Sequence, residues 1–270
     1  MVDPLKNIGV VILAAGRGTR MNASADHPKV LVPLLGRPLL VYLLENIKKS
    51  VVKTTPVIVI APDLYIIRDH FGPVYEYAIQ ETQLGTGHAL LSAKEKLLRY
   101  DHILVLYGDH PFVTAQTIDA LVVHHLDSGA DLTLATLRLP HFEDWYAMFD
   151  HYGRIKRDQR GDISAIIEKK DATSEELQLT EVNPGYYIFK ASWLWNALPK
   201  LSRENASGEY YITDLIALAL KENRQVRDVL FDDPEVALGV NTPEQLALAE
   251  KIMKKKLDDG ARMYTGRLPL

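Results

Sequence analysis

The fold is decided by residues 8–21, which read IGVVILAAGRGTRM. Residues 8–14 are apolar and rich in Val and Ile, without the polar alternation of a half-exposed strand, and this pattern is typical of a strand buried on both faces. A loop that carries two glycines, residues 15–27, follows at once. Open α/β sheets bind ligands at the loops after the carboxyl ends of their strands, so the stretch predicts a binding loop as well as a strand.

Beyond this strand, apolar strands alternate with helical patterns. We expect helices at 39–48, 87–99 and 115–127 and strands at 57–61, 103–107 and 132–137. This alternation predicts a Rossmann-like α/β fold, with a mostly parallel central sheet flanked by helices.

The pattern changes after Pro140. Short strand-like pieces at 154–156, 163–168 and 185–190 lie among polar turns, which indicates an insertion that holds a second substrate. The last predicted elements are helices at 192–198, 211–222 and 243–256 and a strand at 225–231. With no repeat, low-complexity segment or linker, we expect a single domain over residues 1–270.

The composition limits the possible functions. A net charge of −4 gives no general attraction to nucleic acid or to an anionic membrane. No apolar run reaches the ~20 residues that a membrane helix needs, and no signal peptide is recognisable. Because the chain has no cysteine, disulfides, thiolate metal sites and cysteine nucleophiles are excluded. We therefore expect a cytoplasmic protein with no nucleic-acid and no membrane partner.

The loop after the first strand combines small residues with positive charge. Gly16 and Gly18, preceded by two alanines, let backbone N–H groups approach phosphate oxygens, while Arg20 and Lys29 supply the charge that a triphosphate attracts. The segment is not a P-loop, and Met21 stands where a dinucleotide fingerprint needs its third glycine. We predict a phosphate-binding loop of another kind; the alternative is a β–α turn with incidental basic residues.

Polar groups also follow later strands. Residues 80–89 (QETQLGTGHA) join a strand-like run to a helix, and the amides there could read the edge of a base. Asp109 follows the strand at 103–107, and a single carboxylate at that edge suits Mg²⁺, which also takes waters and phosphate oxygens as ligands. For residues 80–89 the alternative is an ordinary loop at the start of a helix. For Asp109 it is a turn or helix-cap residue. Asn241, before the helix at 243–256, has a helix cap as its local interpretation.

The loop at 13–21 and the Pro28-Lys29 pair after it resemble the signature of nucleotidyltransferases that act on sugar phosphates. The similarity is greatest to the uridylyltransferase domain of bacterial bifunctional N-acetylglucosamine-1-phosphate uridylyltransferase. It extends over roughly residues 8–263 and includes the loop at 80–89, Asp109 and the Gly239-Val240-Asn241 triplet. It implies the nucleotidyltransferase (GT-A-like) form of the Rossmann-like fold, with a sugar-binding insertion.

The resemblance divides the domain into a nucleotide-binding half (1–139), a sugar-binding half (140–242) and a C-terminal helix and tail (243–270). No hexapeptide repeat of the acetyltransferase β-helix follows, so we expect no acetyltransferase activity. The remaining conspicuous groups have ordinary interpretations: His124 and His125 as a helix surface pair, and the lysines at 254–256 as a solvated face.

The resemblance also implies roles for individual residues. Arg20 and Lys29 are expected to be catalytic, and Asp109 and Asn241 to hold Mg²⁺. The expected nucleotide-binding residues are Leu13, Ala14, Ala15, Gly16, Gly18, Gln80, Gly85 and Thr86. The expected sugar-binding residues are Gly153, Glu168, Asn183, Tyr211 and Thr213. Two departures from the family pattern, His151 and Pro184, leave the exact sugar open.

From these motifs we expect transfer of UMP from UTP to N-acetylglucosamine 1-phosphate or a related hexose 1-phosphate, with release of pyrophosphate. In-line attack needs no covalent intermediate, so Mg²⁺, Arg20 and Lys29 would act by positioning and charge neutralisation. The alternatives are another triphosphate (dTTP, CTP or GTP), a non-sugar acceptor such as an alcohol phosphate or a molybdopterin-like cofactor, and a non-catalytic nucleotide-sugar-binding regulator. An NAD-dependent oxidoreductase is disfavoured because its glycine fingerprint is missing. The oligomeric state is not indicated.

Overall fold

A computed structural model describes residues 4–21 and 24–265 of the chain. Within them the strands are β1 (Ile8–Leu13), β2 (Pro33–Leu34), β3 (Arg37–Pro38), β4 (Val57–Ile60), β5 (Glu76–Ile79), β6 (His102–Tyr107), β7 (Leu132–Arg138), β8 (Gly153–Arg157), β9 (Ile163–Ile167), β10 (Glu181–Asn183), β11 (Tyr187–Lys190) and β12 (Val226–Phe231). The helices are α1 (Leu39–Lys49), α2 (Tyr65–Phe71), α3 (Thr86–Ser92), α4 (Lys94–Leu97), α5 (Ala115–Ser128), α6 (Ala191–Ala197), α7 (Asp214–Lys221) and α8 (Pro243–Thr265). Two short 3-10 helices, Thr19–Met21 and Lys29–Leu31, lie between β1 and β2, in the segment called the first loop below.

Ten of the described strands form one central sheet, in the order β5-β4-β1-β6-β11-β7-β10-β8-β9, with β12 also paired to β7. Strands β5, β4, β1 and β6 are parallel, and β12 is parallel to β7. Strand β11 lies antiparallel between β6 and β7, and β8, β9 and β10 extend the sheet in antiparallel pairs. The predicted class, a mostly parallel sheet flanked by helices, is confirmed, and the sheet joins strands from both predicted halves.

The position of β1 in the sheet explains its sequence. It pairs with β4 on one side and β6 on the other, and all six of its residues are buried. Helix α1 presents Leu40, Leu43, Leu44 and Ile47 to the same core at helical spacing. Each such side chain contributes about 1.5–3 kcal/mol on burial. The core therefore fixes the carboxyl end of β1, from which the first loop begins.

Helix α8 returns the end of the described chain to the predicted nucleotide-binding half. Its Ala249 and Ile252 pack with Leu34, Leu39 and Phe112 in a separate small core. This packing brings the start of α8, and Asn241 before it, close to the loop after β6. No helix in the described residues combines the length and the apolarity needed to cross a membrane.

Several elements differ from the sequence-based expectation. The predicted helix at 87–99 is two helices, because the chain turns at Ala93, whose N–H bonds to Leu90 O in a tighter turn. The strand expected to begin at 185 begins at Tyr187, since Gly185 has a φ of +91°. Helix α2 and the three-residue β10 were not predicted.

The prediction that His124 and His125 both lie on a helix surface is wrong for His125. Only His124 is exposed, whereas His125 is fully buried. Its two ring nitrogens lie 2.9 Å from Thr133 Oγ1 and 2.9 Å from His102 Nδ1. Burial, with further lowering from neighbouring positive groups, brings the pKa of His125 to about 3. The lysines at 254–256 are exposed, as predicted.

Candidate functional site

A cavity of about 490 Å³ opens where the loops after β1, β5 and β6 meet the predicted sugar-binding half. Every predicted site residue except Gly18 lines it. Those residues are Leu13, Ala14, Ala15, Gly16, Arg20, Lys29, Gln80, Gly85, Thr86, Asp109, Gly153, Glu168, Asn183, Tyr211, Thr213 and Asn241. The structure thus brings together residues up to 228 positions apart in the sequence (13 to 241), and their individual roles remain predictions.

The first loop forms one side of the cavity. It meets the loop after β6 closely, since Gly108 N donates to Leu13 O at 3.0 Å. A Cβ at Gly108 would lie 3.3 Å from Ala14 Cβ and 3.1 Å from Val30, so small residues are needed here. Gly18 is the one predicted nucleotide-binding residue that does not line the cavity. Its φ is +64° and its carbonyl accepts from Met21 N at 2.8 Å, so it turns the loop and lies outside the cavity.

Lys29 lies between the two predicted metal ligands. Its Nζ donates to Asp109 Oδ2 at 2.6 Å and to Asn241 Oδ1 at 2.7 Å. Burial alone would raise the pKa of Asp109, but the charge and the hydrogen bond of Lys29, aided by His110, lower it to about 2. Asp109 is therefore an ionised carboxylate that already faces a positive charge.

The side chain of Asn241 is free for the cavity because another residue caps α8. Thr242 Oγ1 accepts from Gln245 N at 3.3 Å, and Gln245 Oε1 accepts from Asn241 N at 2.7 Å. This reciprocal arrangement resembles a capping box. In addition, Val240 N donates to Asp109 O at 2.9 Å, which joins the two loops that carry Asp109 and Asn241.

These two oxygens could hold a divalent cation. Carboxylate and amide oxygens suit Mg²⁺, which usually keeps several waters and takes phosphate oxygens as further ligands. The Lys29 ammonium, within hydrogen-bond distance of both, is a stand-in showing that the pair accommodates a cation. No group of three or more His, Cys, Asp or Glu side chains suited to a metal occurs in residues 4–21 and 24–265.

The loop after β5 forms a second wall of the cavity. Gln80 Nε2 donates to Gly85 O at 3.0 Å, which closes the loop on itself. Gly85 has a φ of +105°, and a Cβ there would lie 2.7 Å from Tyr210 O, so the position accepts only glycine without a shift. Thr86 Oγ1 accepts from Ile212 N at 3.0 Å. The loop is thereby attached to the segment that carries Tyr211 and Thr213.

The third wall carries hydroxyl and amide partners. Glu168 Oε1 accepts from Thr213 Oγ1 at 2.9 Å. Burial, with the nearby acidic residues, raises the pKa of Glu168. Asn183 Nδ2 donates to Tyr187 Oη at 2.6 Å, and its Oδ1 accepts from Gly185 N at 3.0 Å. A partly buried carboxyl and a fixed, buried amide are suited to polar recognition of a small ligand.

Several cavity residues were not among the predicted ones: Gln83, Tyr107, His110, Tyr152 and Tyr187 line it too. Gln83 Nε2 donates to Ala15 O and so links the second wall to the first loop. His110 and Tyr152 are each adjacent in sequence to a predicted residue, which is the signal that could have identified them. His151, noted as a departure, lines the cavity as well; desolvation and the charge of Arg20 lower its pKa to about 4.

Comparisons with known proteins show several similarities to this chain. A family model described as nucleotidyl transferase matches residues 9–235. A protein named bifunctional protein GlmU from Enterococcus faecalis is 37% identical over 256 residues, which are 94% of this chain and 54% of that protein. The same-named proteins of Caldanaerobacter subterraneus and Geobacillus thermodenitrificans are 34% and 36% identical, over 92% of this chain and 52% of each of them. The chain spans about half the length of the curated relatives it matches.

The fold also matches a solved structure. A UDP-glucose pyrophosphorylase complexed with UDP-glucose aligns with a TM-score of 0.73, over 93% of this chain and 99% of that one. The two sequences are 19% identical, so this likeness supports the fold alone.

Proposed function

The chain belongs to the nucleotidyl transferase family, of the kind that acts on sugar phosphates, and we propose that it transfers UMP from UTP to a hexose 1-phosphate. The products would be a UDP-sugar and pyrophosphate. N-acetylglucosamine 1-phosphate is the acceptor that the family motifs favour. A structural neighbour is described in complex with UDP-glucose, which is a ligand of the proposed class.

One observation carries the proposal: the Lys29–Asp109–Asn241 cluster lies in the same cavity as the loop at 80–86 and the sugar-side residues. A nucleotide-sugar has a base, a pyrophosphate and a sugar, and each of the three walls of the cavity would face one of these parts. The charged cluster and the first loop would face the phosphates. Glu168 and Asn183 would face the sugar.

The proposed reaction forms one P–O bond and breaks another. An oxygen of the sugar phosphate attacks the α-phosphorus of UTP, and the bond to the β-phosphate oxygen breaks, so that pyrophosphate leaves with the electron pair. The attacking oxygen is already ionised, and no general base is needed. Arg20 and Lys29 stabilise the charge that develops on the α-phosphate and the leaving group, and one such contact is worth about 10²–10³ in rate.

Asp109 and Asn241 would hold a divalent cation, with Mg²⁺ the expected one. When bound, it supplies charge neutralisation and a template for the phosphates. With these two oxygens holding a cation, the Lys29 ammonium that now contacts them would be available to the phosphates. The residues present fit this role, since both oxygens already face a cation.

A substrate matrix tests the proposal. Pyrophosphate release is measured with Mg²⁺ for ATP, GTP, CTP, UTP and dTTP, each against glucose, N-acetylglucosamine, galactose and mannose 1-phosphates. We expect release with UTP and one or two acceptors, and its loss in Asp109→Asn. Lys53→Met, at a lysine outside the cavity that donates to Ser50 O, is a matched control for Lys29→Met. Binding of UTP without release from any pair would contradict the proposal.

A further inference from the structure

His110 is a cavity residue to which the family motifs give no role. Its side chain is 8% exposed, and it directly follows Asp109. Its ring stacks with that of Tyr152 at 6.4 Å between centroids and meets the edge of Tyr186 at 5.4 Å. Packing from two aromatic rings therefore fixes its orientation.

The hydrogen bonds of Tyr186 determine which nitrogen of His110 carries the proton. Tyr186 Oη lies 2.6 Å from His110 Nδ1 and donates to Val236 O at 2.8 Å. A phenol has one proton to donate, and Val236 O can only accept it. Tyr186 must therefore accept from His110, so Nδ1 is protonated and the Nε2 of a neutral ring carries a lone pair.

The Nε2 side of the ring faces both loops of the cation site. Nε2 lies 3.9 Å from Asp109 Oδ1, too far for a direct hydrogen bond and a distance that one water molecule can bridge. On its other side the ring lies against bare backbone, since a Cβ at Gly239 would come within 2.6 Å of Nε2. Gly239 is two residues before Asn241.

We propose that His110, held by Tyr186, is the positioning residue of the divalent-cation site. It fixes the loop of Asp109 against the loop of Asn241 and offers the Nε2 lone pair to the hydration shell of the cation. The proposal rests on the proposed function, because it takes Asp109 and Asn241 as the cation ligands. Partners that orient metal ligands typically change metal affinity by about 10–100-fold when they are removed.

Two features of the surroundings support this role. Val240 N donates to Asp109 O at 2.9 Å, so a shift of either loop is passed to the other. Tyr152 Oη donates to Ala237 O at 2.6 Å and accepts from Gly239 N at 3.3 Å, which holds the backbone on which the His110 ring rests. The series of contacts from Tyr186 through His110 to Gly239 therefore reaches the two loops that carry the predicted ligands, Asp109 and Asn241.

Mn²⁺ binding to the nucleotide-free protein tests the proposal without turnover. The ion is titrated and its free concentration followed by EPR, in the native protein and in a Lys29→Met background, where the ammonium no longer competes. We expect His110→Phe to weaken binding by about 10–100-fold. Tyr186→Phe, which keeps the ring and removes only the hydroxyl, should weaken it in the same direction. The double variant should be no weaker than His110→Phe, because both changes break one chain of contacts.

Tyr77→Phe is the matched control. It removes one tyrosine hydrogen bond, to Gly72 O at 2.9 Å, outside the cavity, and should leave Mn²⁺ binding unchanged. Compared within each background, UTP affinity without metal should be unchanged by Tyr186→Phe and by Tyr77→Phe, since neither tyrosine lines the cavity. Unaltered Mn²⁺ affinity in folded Tyr186→Phe and His110→Phe would overturn the proposal, as would the absence of any Asp109-dependent Mn²⁺ binding in both backgrounds. If no pair in the substrate matrix releases pyrophosphate but the variants still change Mn²⁺ affinity as expected, the transfer reaction is rejected and the positioning role is supported.

Discussion

Replacing Lys29 by Met should have opposite effects on metal binding and on turnover. In the structure the Lys29 ammonium is bound to Asp109 Oδ2 at 2.6 Å and to Asn241 Oδ1 at 2.7 Å, with 13% of its side chain exposed. A divalent cation that uses these oxygens has to displace it. Without Lys29 that competition is absent, while the positive charge needed for the transfer is lost.

The magnitudes follow from the contacts. A hydrogen bond between charged groups contributes about 1.5–3 kcal/mol, and each ~1.4 kcal/mol is a factor of ten in affinity. Mn²⁺ should therefore bind nucleotide-free Lys29→Met about 10–100-fold more tightly than the native protein. Turnover with UTP and the active sugar phosphate should fall by about 10²–10³.

The assay is an Mn²⁺ titration by EPR beside a pyrophosphate-release assay, with Lys53→Met as the control that leaves both quantities unchanged. Asp109 loses its partner in Lys29→Met, so the variant should melt at a lower temperature in EDTA and recover stability with Mn²⁺. Weaker or unchanged Mn²⁺ binding in folded Lys29→Met would refute the idea that the ammonium occupies the cation site.

Three further predictions concern other parts of the molecule. Gly85→Ala forces a Cβ against Tyr210 O, so kcat/KM for UTP should fall about tenfold or more. Gly161 also has a positive φ, of +86°, but open space around it, so Gly161→Ala should leave kcat/KM unchanged. Equal effects of the two substitutions would contradict the steric argument. Glu168→Gln should raise KM for the sugar phosphate by about tenfold and leave KM for UTP unaltered, and a change confined to UTP would contradict a sugar-side role. The folded pKa of His125 is about 3, below its usual 6.5, so the unfolded chain binds more protons between these values and stability falls as pH drops from about 6.5 towards 3. The free energy of unfolding is measured by urea titration at pH 7, 6 and 5 in the native protein and in His125→Gln. Its decrease with falling pH should be smaller in His125→Gln, by up to about 1.4 kcal/mol per pH unit. The same pH dependence in both proteins would contradict a lowered pKa of His125.

Local patterns were sufficient to predict much of the fold. The apolar run of β1 has no alternating polar residues because the strand is covered on both faces, and the parallel strands β4 and β6 beside it were predicted in the same way. The antiparallel position of β11 between β6 and β7 was not, since strand direction and neighbours depend on contacts distant in sequence. Strand β10 has three residues, too few for a periodic signal.

The position of a site residue could be predicted where a motif directly follows a strand, as at Asp109. A short loop there keeps its residues at the carboxyl edge of the sheet, where the cavity lies. It was not predictable where the partner is distant: His110 acquires its proton arrangement from Tyr186, 76 positions away. The burial of His125 likewise depends on His102 and Thr133, which the helix pattern alone does not include. Gly18, predicted to contact the nucleotide, turns the loop in the structure and is not among the residues that line the cavity.

The most direct test of the central claim is identification of the products by ³¹P NMR after incubation with UTP, Mg²⁺ and N-acetylglucosamine 1-phosphate. The proposed reaction predicts pyrophosphate and a UDP-sugar in equal amounts, and neither of them with Asp109→Asn. Release of inorganic phosphate without a UDP-sugar, or recovery of intact UTP with every hexose 1-phosphate despite measurable UTP binding, would contradict it.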